Sequence, residues 1–184
     1  NLKSSGYPVE DALSPADANA LAKLIRADMY VEGVVTKTAT GFQLQAFLLL
    51  SRDMNLVQPR GTYEHVKLDG AAAGVAKEFK AAFKAFEAEK TCRLKAREGK
   101  TAEALKAASD GIVAYPKSLW LRVCQMSIAV DQKKSPAEII AIAEDIRKVD
   151  PKSRVALTEL FKQYSIAKNI DKKIAVLMDL YHAD

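Results

Sequence analysis

The sequence predicts a mainly α-helical protein fronted by a small α+β module, with the helices arranged as about three stacked hairpins. Three observations carry this. Pro116 and Pro151 stand 35 residues apart, each closing a run of helix-like sequence, and each opens a Pro-Lys-Ser triplet. A unit of that length is a helix–turn–helix that cannot bury its apolar face alone and must stack on neighbours. The stretch Phe42 to Leu50 instead alternates with a period of two, and from Gly70 to Arg97 the pattern is helical without a break. We therefore divide the chain into an α+β module over residues 1–70 and a helical repeat domain over 71–184, joined by that long helix.

Residues 1–13 hold Gly6 and Pro8 and few apolar side chains, so they read as a loop or a frayed end. Ser14-Pro15-Ala16-Asp17 begins a helix, with Ser14 as cap, Pro15 in the first turn and Asp17 at the positive end of the dipole. Leu21, Leu24 and Ile25 give its apolar face, and the helix should end near Ala27. Met29 to Lys37 and Phe42 to Leu50 form a hairpin around Thr38-Ala39-Thr40-Gly41. Phe42, Leu44, Ala46, Leu48 and Leu50 share its core face. Phe47 and Leu49 on the other face call for some cover. Asp53 to Gly61, with Pro59, reads as a loop, and Thr62 to Leu68 as a third short strand.

In the long helix Phe79, Phe83 and Phe86 lie on one stripe, which we assign to the core, and Lys77, Lys80 and Lys84 on another. Gly99 ends it. The helices that follow are Thr101–Ala114, Ser118–Val130, Ser135–Val149, Lys152–Ala167 and Ile170–His182. Ser135-Pro136-Ala137-Glu138 is a full capping box. The last helix is strongly apolar through Ile174, Val176, Leu177, Leu180 and Tyr181, so it is an end cap or the surface of a homodimer.

Apolar residues make up 49% of the chain, and no uncharged apolar run is long enough to cross a bilayer. The net charge is +5, while residues 1–70 carry seven Lys/Arg against eight Asp/Glu, so the helical part is the basic part. A modest excess spread over several helices is the mark of a solvated face, and nucleic acid is the disfavoured partner. Cys92 and Cys124 fall in apolar helical faces without a CxxC or a nearby His. They read as buried free thiols, with a disulfide as the alternative, and no zinc or other metal site emerges. His65 and His182 stand in unrelated contexts, and Gly99-Lys100-Thr101 lacks the upstream Gly of a phosphate loop. No catalytic residue and no cofactor is assigned. The first residue is Asn, so the chain reads as a trimmed or mature fragment.

Gly99, Ala104, Gly111 and Pro116 stand at the four offsets where the tetratricopeptide repeat (TPR) family places its turn glycine, two small residues and closing proline. Lys134, Ile139, Ile146 and Pro151 occupy them in a second unit, and Asn169, Ile174 and Tyr181 in a third. Residues 85–184 thus resemble a TPR solenoid, with a generic helical bundle as the alternative. Leu21-Ala22-Lys23-Leu24-Ile25-Arg26-Ala27-Asp28-Met29-Tyr30-Val31-Glu32-Gly33, with the hairpin through Gly41 and Leu50, is similar to the N-terminal α/β domain of TolB-type bacterial envelope proteins.

The TPR resemblance implies a concave surface lined by the first helix of each pair. Its exposed positions would be Glu89, Arg93 and Arg97, then Cys124, Gln125, Ile128 and Asp131, then Glu159 and Gln163. Arginines there suit a carboxylate or the backbone carbonyls of an extended peptide. The alternative is helix-surface pairing, such as Glu89 with Arg93. The expectation is a non-enzymatic scaffold that holds a protein or peptide. The TolB resemblance implies the bacterial periplasm or envelope, with the cytoplasm as the alternative. The rival functions are a basic helical nucleic-acid-binding protein and the non-catalytic part of a larger enzyme or regulator.

Overall fold

The computed structural model describes residue 6 and residues 13–183, so the loop expected over residues 1–13 lies almost wholly outside the described residues. Helix α1, Pro15–Leu24, starts as expected: the Ser14 hydroxyl accepts the Asp17 N–H at 3.2 Å. It ends three residues early, because Arg26 turns left-handed (φ 56°) and the Ala27 N–H reaches back to the Ala22 carbonyl. Its buried side chains are Asn19 and Ala22, and Leu24 and Ile25 are exposed, which corrects the expected apolar face. The Asn19 amide sets this rotation by donating to the Ser51 carbonyl (3.0 Å) and the Tyr30 hydroxyl (3.3 Å).

Strands β1 (Met29–Thr38), β2 (Gly41–Leu50) and β3 (Asp53–His65) form a three-stranded antiparallel meander in that order. Thr38 pairs with Gly41, leaving a tight Ala39-Thr40 turn. Any Cβ at Gly41 (φ 155°) would overlap the His65 carbonyl oxygen. The loop expected at Asp53–Gly61 is strand instead. Pro59 is tolerated because β3 is an outer strand and its pairing register shifts between Gln45 and Phe47. Tyr30 and Leu49 are directly paired, so α1, held by Tyr30, lies on the face of Leu49, which is 5% exposed. The opposite face presents Leu48, Leu50 and Leu56 to the helices.

Helix α2, Leu68–Arg97, runs for 30 residues and is followed by α3 (Thr101–Ala114), α4 (Leu119–Asp131), α5 (Pro136–Val149), α6 (Arg154–Ile166) and α7 (Ile170–Tyr181). Each packs against the next: α2 with α3, α4 with α5 and α6 with α7 are adjacent pairs, α5 packs on α6 at least as closely as the last two pairs do, and α4 also meets α2 and α3. The Pro-Lys-Ser triplets are helix starts, for Ser118 and Ser153 are buried and accept the Leu121 and Ala156 N–H groups. Ser135 and Glu138 complete the capping box. The turns between paired helices each hold one left-handed residue: Gly99 (φ 73°), Lys133 (φ 53°) and Lys168 (φ 54°). The last two precede by one residue the positions aligned with Gly99.

One apolar cluster runs from Leu48, Leu50 and Leu56 through Phe86 and Trp120 to Leu157, Leu160 and Val176. Sheet and helices therefore share a core. Phe86 is buried in it and Phe79 packs beside it, but Phe83 is 53% exposed; it sits at the margin of the stripe, where nothing covers it. A second cluster joins α2, α3 and α4 around Ala85, Ala104, Ala108 and Leu121. Gly111 belongs to this contact, since a Cβ there would stand 2.7 Å from Leu121 Cδ1 and 2.8 Å from Ala88 Cβ. Cys92 and Cys124 are joined in a disulfide between α2 and α4, with Cα atoms 6.6 Å apart, which overturns the free-thiol expectation. Side-by-side packing of α2 and α4 brings their two inward faces together. Ile170, Ile174, Leu177, Met178 and Tyr181 leave an exposed apolar stripe along α7. Among the described residues no helix is long and apolar enough to cross a membrane.

Candidate partner-binding groove

The groove follows from how β3 is fixed to α4. The buried Gln58 side chain donates to the Lys117 carbonyl at 2.6 Å and accepts the Leu119 N–H at 2.7 Å. The Trp120 indole N–H donates to the Leu56 carbonyl at 2.9 Å. These bonds satisfy buried polar groups and hold the turn between β2 and β3 against the start of α4. A cleft of about 410 Å³ is left between that turn, α2 and α4. Leu56, Trp120, Cys124 and Ile128 are buried behind it, which corrects the expected exposure of Cys124 and Ile128; half-buried Ala96, Val123 and Val155 give its apolar surface, and Arg52, Asp53, Arg93, Arg97 and Asp131 its polar margin.

A second cleft of about 480 Å³ lies between α4 and α6, lined by Asn55, Arg154, Thr158, Glu159 and Lys162 among others. Ser127, Asp131 and Val155 line both, so the two clefts adjoin across α2, α4 and α6.

Of the residues expected on the concave surface, Glu89, Arg93, Arg97, Cys124, Ile128 and Asp131 line the first cleft, and Asp131 and Glu159 the second. Gln125 does not join them. It faces α3, donates to Ser109 Oγ at 3.2 Å, and lines a separate hollow with Leu105 and Lys134. Gln163 is buried and donates to Glu159 Oε1 at 2.7 Å, orienting that carboxylate from beneath.

Glu89 is 2% exposed, and its two oxygens take both terminal nitrogens of Arg52, at 2.6 and 3.3 Å. Arg93 Nε lies 3.5 Å from the same carboxylate. Glu89 is thus a clasp between sheet and helix, and its burial needs these partners. Glu89 and Arg93 do pair, but with a buried carboxylate and not at the helix surface as expected, and Arg52 is the stronger partner. The sequence pattern missed Arg52, Asp53, Asn55 and Leu56 because they come from the sheet, outside the repeat. The length of the alternating runs, which places a tight turn at Ser51-Arg52, was the one available signal.

Arg97 and Asp131 make no ion pair among the described residues. Other groups near the helix pairs are balanced. Burial is the largest influence on the Asp145 carboxyl and raises it, but the hydrogen bond from Arg122 at 2.6 Å, the Arg122 charge and Lys148 together hold the group below its ordinary value. Among the described residues no group of His, Cys, Asp and Glu side chains is placed to hold a metal ion. Neither a family model nor a curated protein matches the chain.

Proposed function

We propose that the protein is a non-enzymatic scaffold whose helix pairs form a TPR-like solenoid and hold a protein or peptide segment in the groove across α2, α4 and α6. The observation that supports it best is the groove itself. Its apolar floor is flanked by charged side chains, several of them on the first helix of successive pairs. An extended chain gains from such a surface by burying apolar side chains while its own polar groups meet the margins. The sheet module adds one wall to the groove, so the two parts of the chain act as one receptor.

The Cys92–Cys124 disulfide supports a working place in an oxidising compartment, and with the TolB-like front module we propose the bacterial periplasm or envelope. The test is site-specific photo-crosslinking in cells of the source envelope. A photoreactive residue is placed at Ser127, exposed where the two clefts meet, or at Ala141, exposed on α5. A discrete protein adduct from Ser127 and none from Ala141 is expected. Adducts from Ala141 alone, or equal adducts from both, would overturn the groove as the holding surface.

A further inference from the structure

We infer that α7 is the seam of a two-fold homodimer, in which the same helix of a second copy packs antiparallel against its outward face. This surface is separate from the groove, for α7 lines neither cleft.

Helix α7 is turned inside out for a helix that faces water. Its ionic side chains lean on its own chain. Asp179 meets Arg147 at 2.7 Å, and the Lys172 and Lys173 ammonium groups stand 5.4 and 5.0 Å from the ring centroids of Tyr164 and Phe161. Val176 is the one buried side chain of the helix, whereas Ile170, Ile174, Leu177, Met178 and Tyr181 are each more than half exposed. No other described helix shows such a row; α2 spreads Leu68, Phe83 and Leu94 over its 30 residues.

Spacing decides what fits this stripe. Ile170, Ile174, Leu177 and Tyr181 follow the four-three-four step of a coiled-coil seam, with Ile174 and Tyr181 at a positions and Ile170 and Leu177 at d. Run backwards, the seam is its own complement: Ile174 of each copy meets Leu177 of the other, and Ile170 meets Tyr181. Such a contact is isologous and closes at two copies. Antiparallel packing also opposes the two helix dipoles. Asp171 and His182, both exposed, lie on one flank of the seam, so each Asp171 carboxylate comes level with an imidazole of the other copy. The five apolar residues present roughly 600 Å² on each copy, so a pair covers on the order of 1,200 Å², enough for a specific, stable interface.

The experiment is sedimentation velocity on the whole chain, from micromolar to hundreds of micromolar. It compares the wild type with Ile174→Lys, Leu177→Glu, an equimolar mixture of those two variants, and Val113→Lys, which alters an equally apolar, 82% exposed residue of α3. Each variant is first checked for an unchanged far-UV spectrum and Tm.

The wild type and Val113→Lys are expected to sediment as dimers. Ile174→Lys alone and Leu177→Glu alone should each weaken the dimer about a hundredfold or more, because each sets two unpaired charges into the seam. The mixture should regain it. There the new ammonium and carboxylate face each other across one half of the seam, while the native Leu177 and Ile174 meet in the other half. A wild type that stays monomeric throughout would overturn the second copy as occupant. A dimer that survives both single variants would overturn α7 as the seam. A mixture no tighter than either variant alone would overturn the antiparallel pairing of Ile174 with Leu177.

Discussion

Arg52 and Glu89 show how one buried carboxylate can fix both fold and site. Glu89 is almost wholly enclosed, while Arg52 keeps about a third of its side chain in solvent, so the pair is partly screened. Glu89→Gln would leave Arg52 and Arg93 without their counter-charge, and we expect a loss of about 1–3 kcal/mol in urea denaturation. Asp110→Asn, which breaks only the exposed Lys106–Asp110 pair, should leave the midpoint unchanged. Glu32 carries the opposite sign. Its Oε1 is buried with no hydrogen-bond partner among the described residues, and burial pushes its carboxyl above the ordinary value. A raised folded-state value means that the folded protein holds this proton longer than the unfolded chain. The stabilising contribution is therefore complete below the unfolded carboxylate range and is lost as pH rises through the folded value. Glu32→Gln should thus raise Tm at neutral pH and lose that advantage on acidification, as read by thermal melts across pH.

The helix boundaries were legible because the signals that set them are local. The Pro-Lys-Ser triplets, the capping box at Ser135 and the Gly99 stop each act within one turn of chain. The errors came where a distant contact decides. Leu24 and Ile25 look like the inner face of α1, but the bonds of Asn19 to Ser51 and Tyr30 rotate the helix away from them. Pro59 looks like a loop residue until its place on an outer strand beside a register shift is known. Lys133 and Lys168 are the same lesson at a turn, since nothing in a lysine announces a left-handed backbone. Holding a Cβ there is unfavourable, so Lys133→Gly and Lys168→Gly should each stabilise the fold by about 0.5–1 kcal/mol in chemical denaturation. A loss of stability at either position would contradict the turn assignment.

Across the whole molecule, the groove exists because sheet and helices share a core. Arg93, Arg97, Ile128, Asp131 and Glu159, expected together from the resemblance to a repeat family, do line the two clefts, and helical periodicity explains why residues of one helix share a face. Arg52 and Leu56 could not be expected there, because Gln58 and Trp120 bring them there over about sixty residues of chain. The Cys92–Cys124 bond could be named only as the alternative to free thiols, for two cysteines 32 residues apart bond only if α2 and α4 lie side by side. Closing a loop of that length restrains the unfolded chain, so Cys92→Ala/Cys124→Ala should cost about 3–4 kcal/mol, and dithiothreitol should lower Tm of the wild type but not of the double variant.

We propose that α2, α4 and the turn between β2 and β3 hold a partner together. The most direct measurement is hydrogen exchange on the chain alone and in complex with the protein captured through Ser127. We predict slowed exchange over 52–56, 89–97 and 120–131 in the same complex. Protection confined to β1 or α7, with those three segments unchanged, would contradict it.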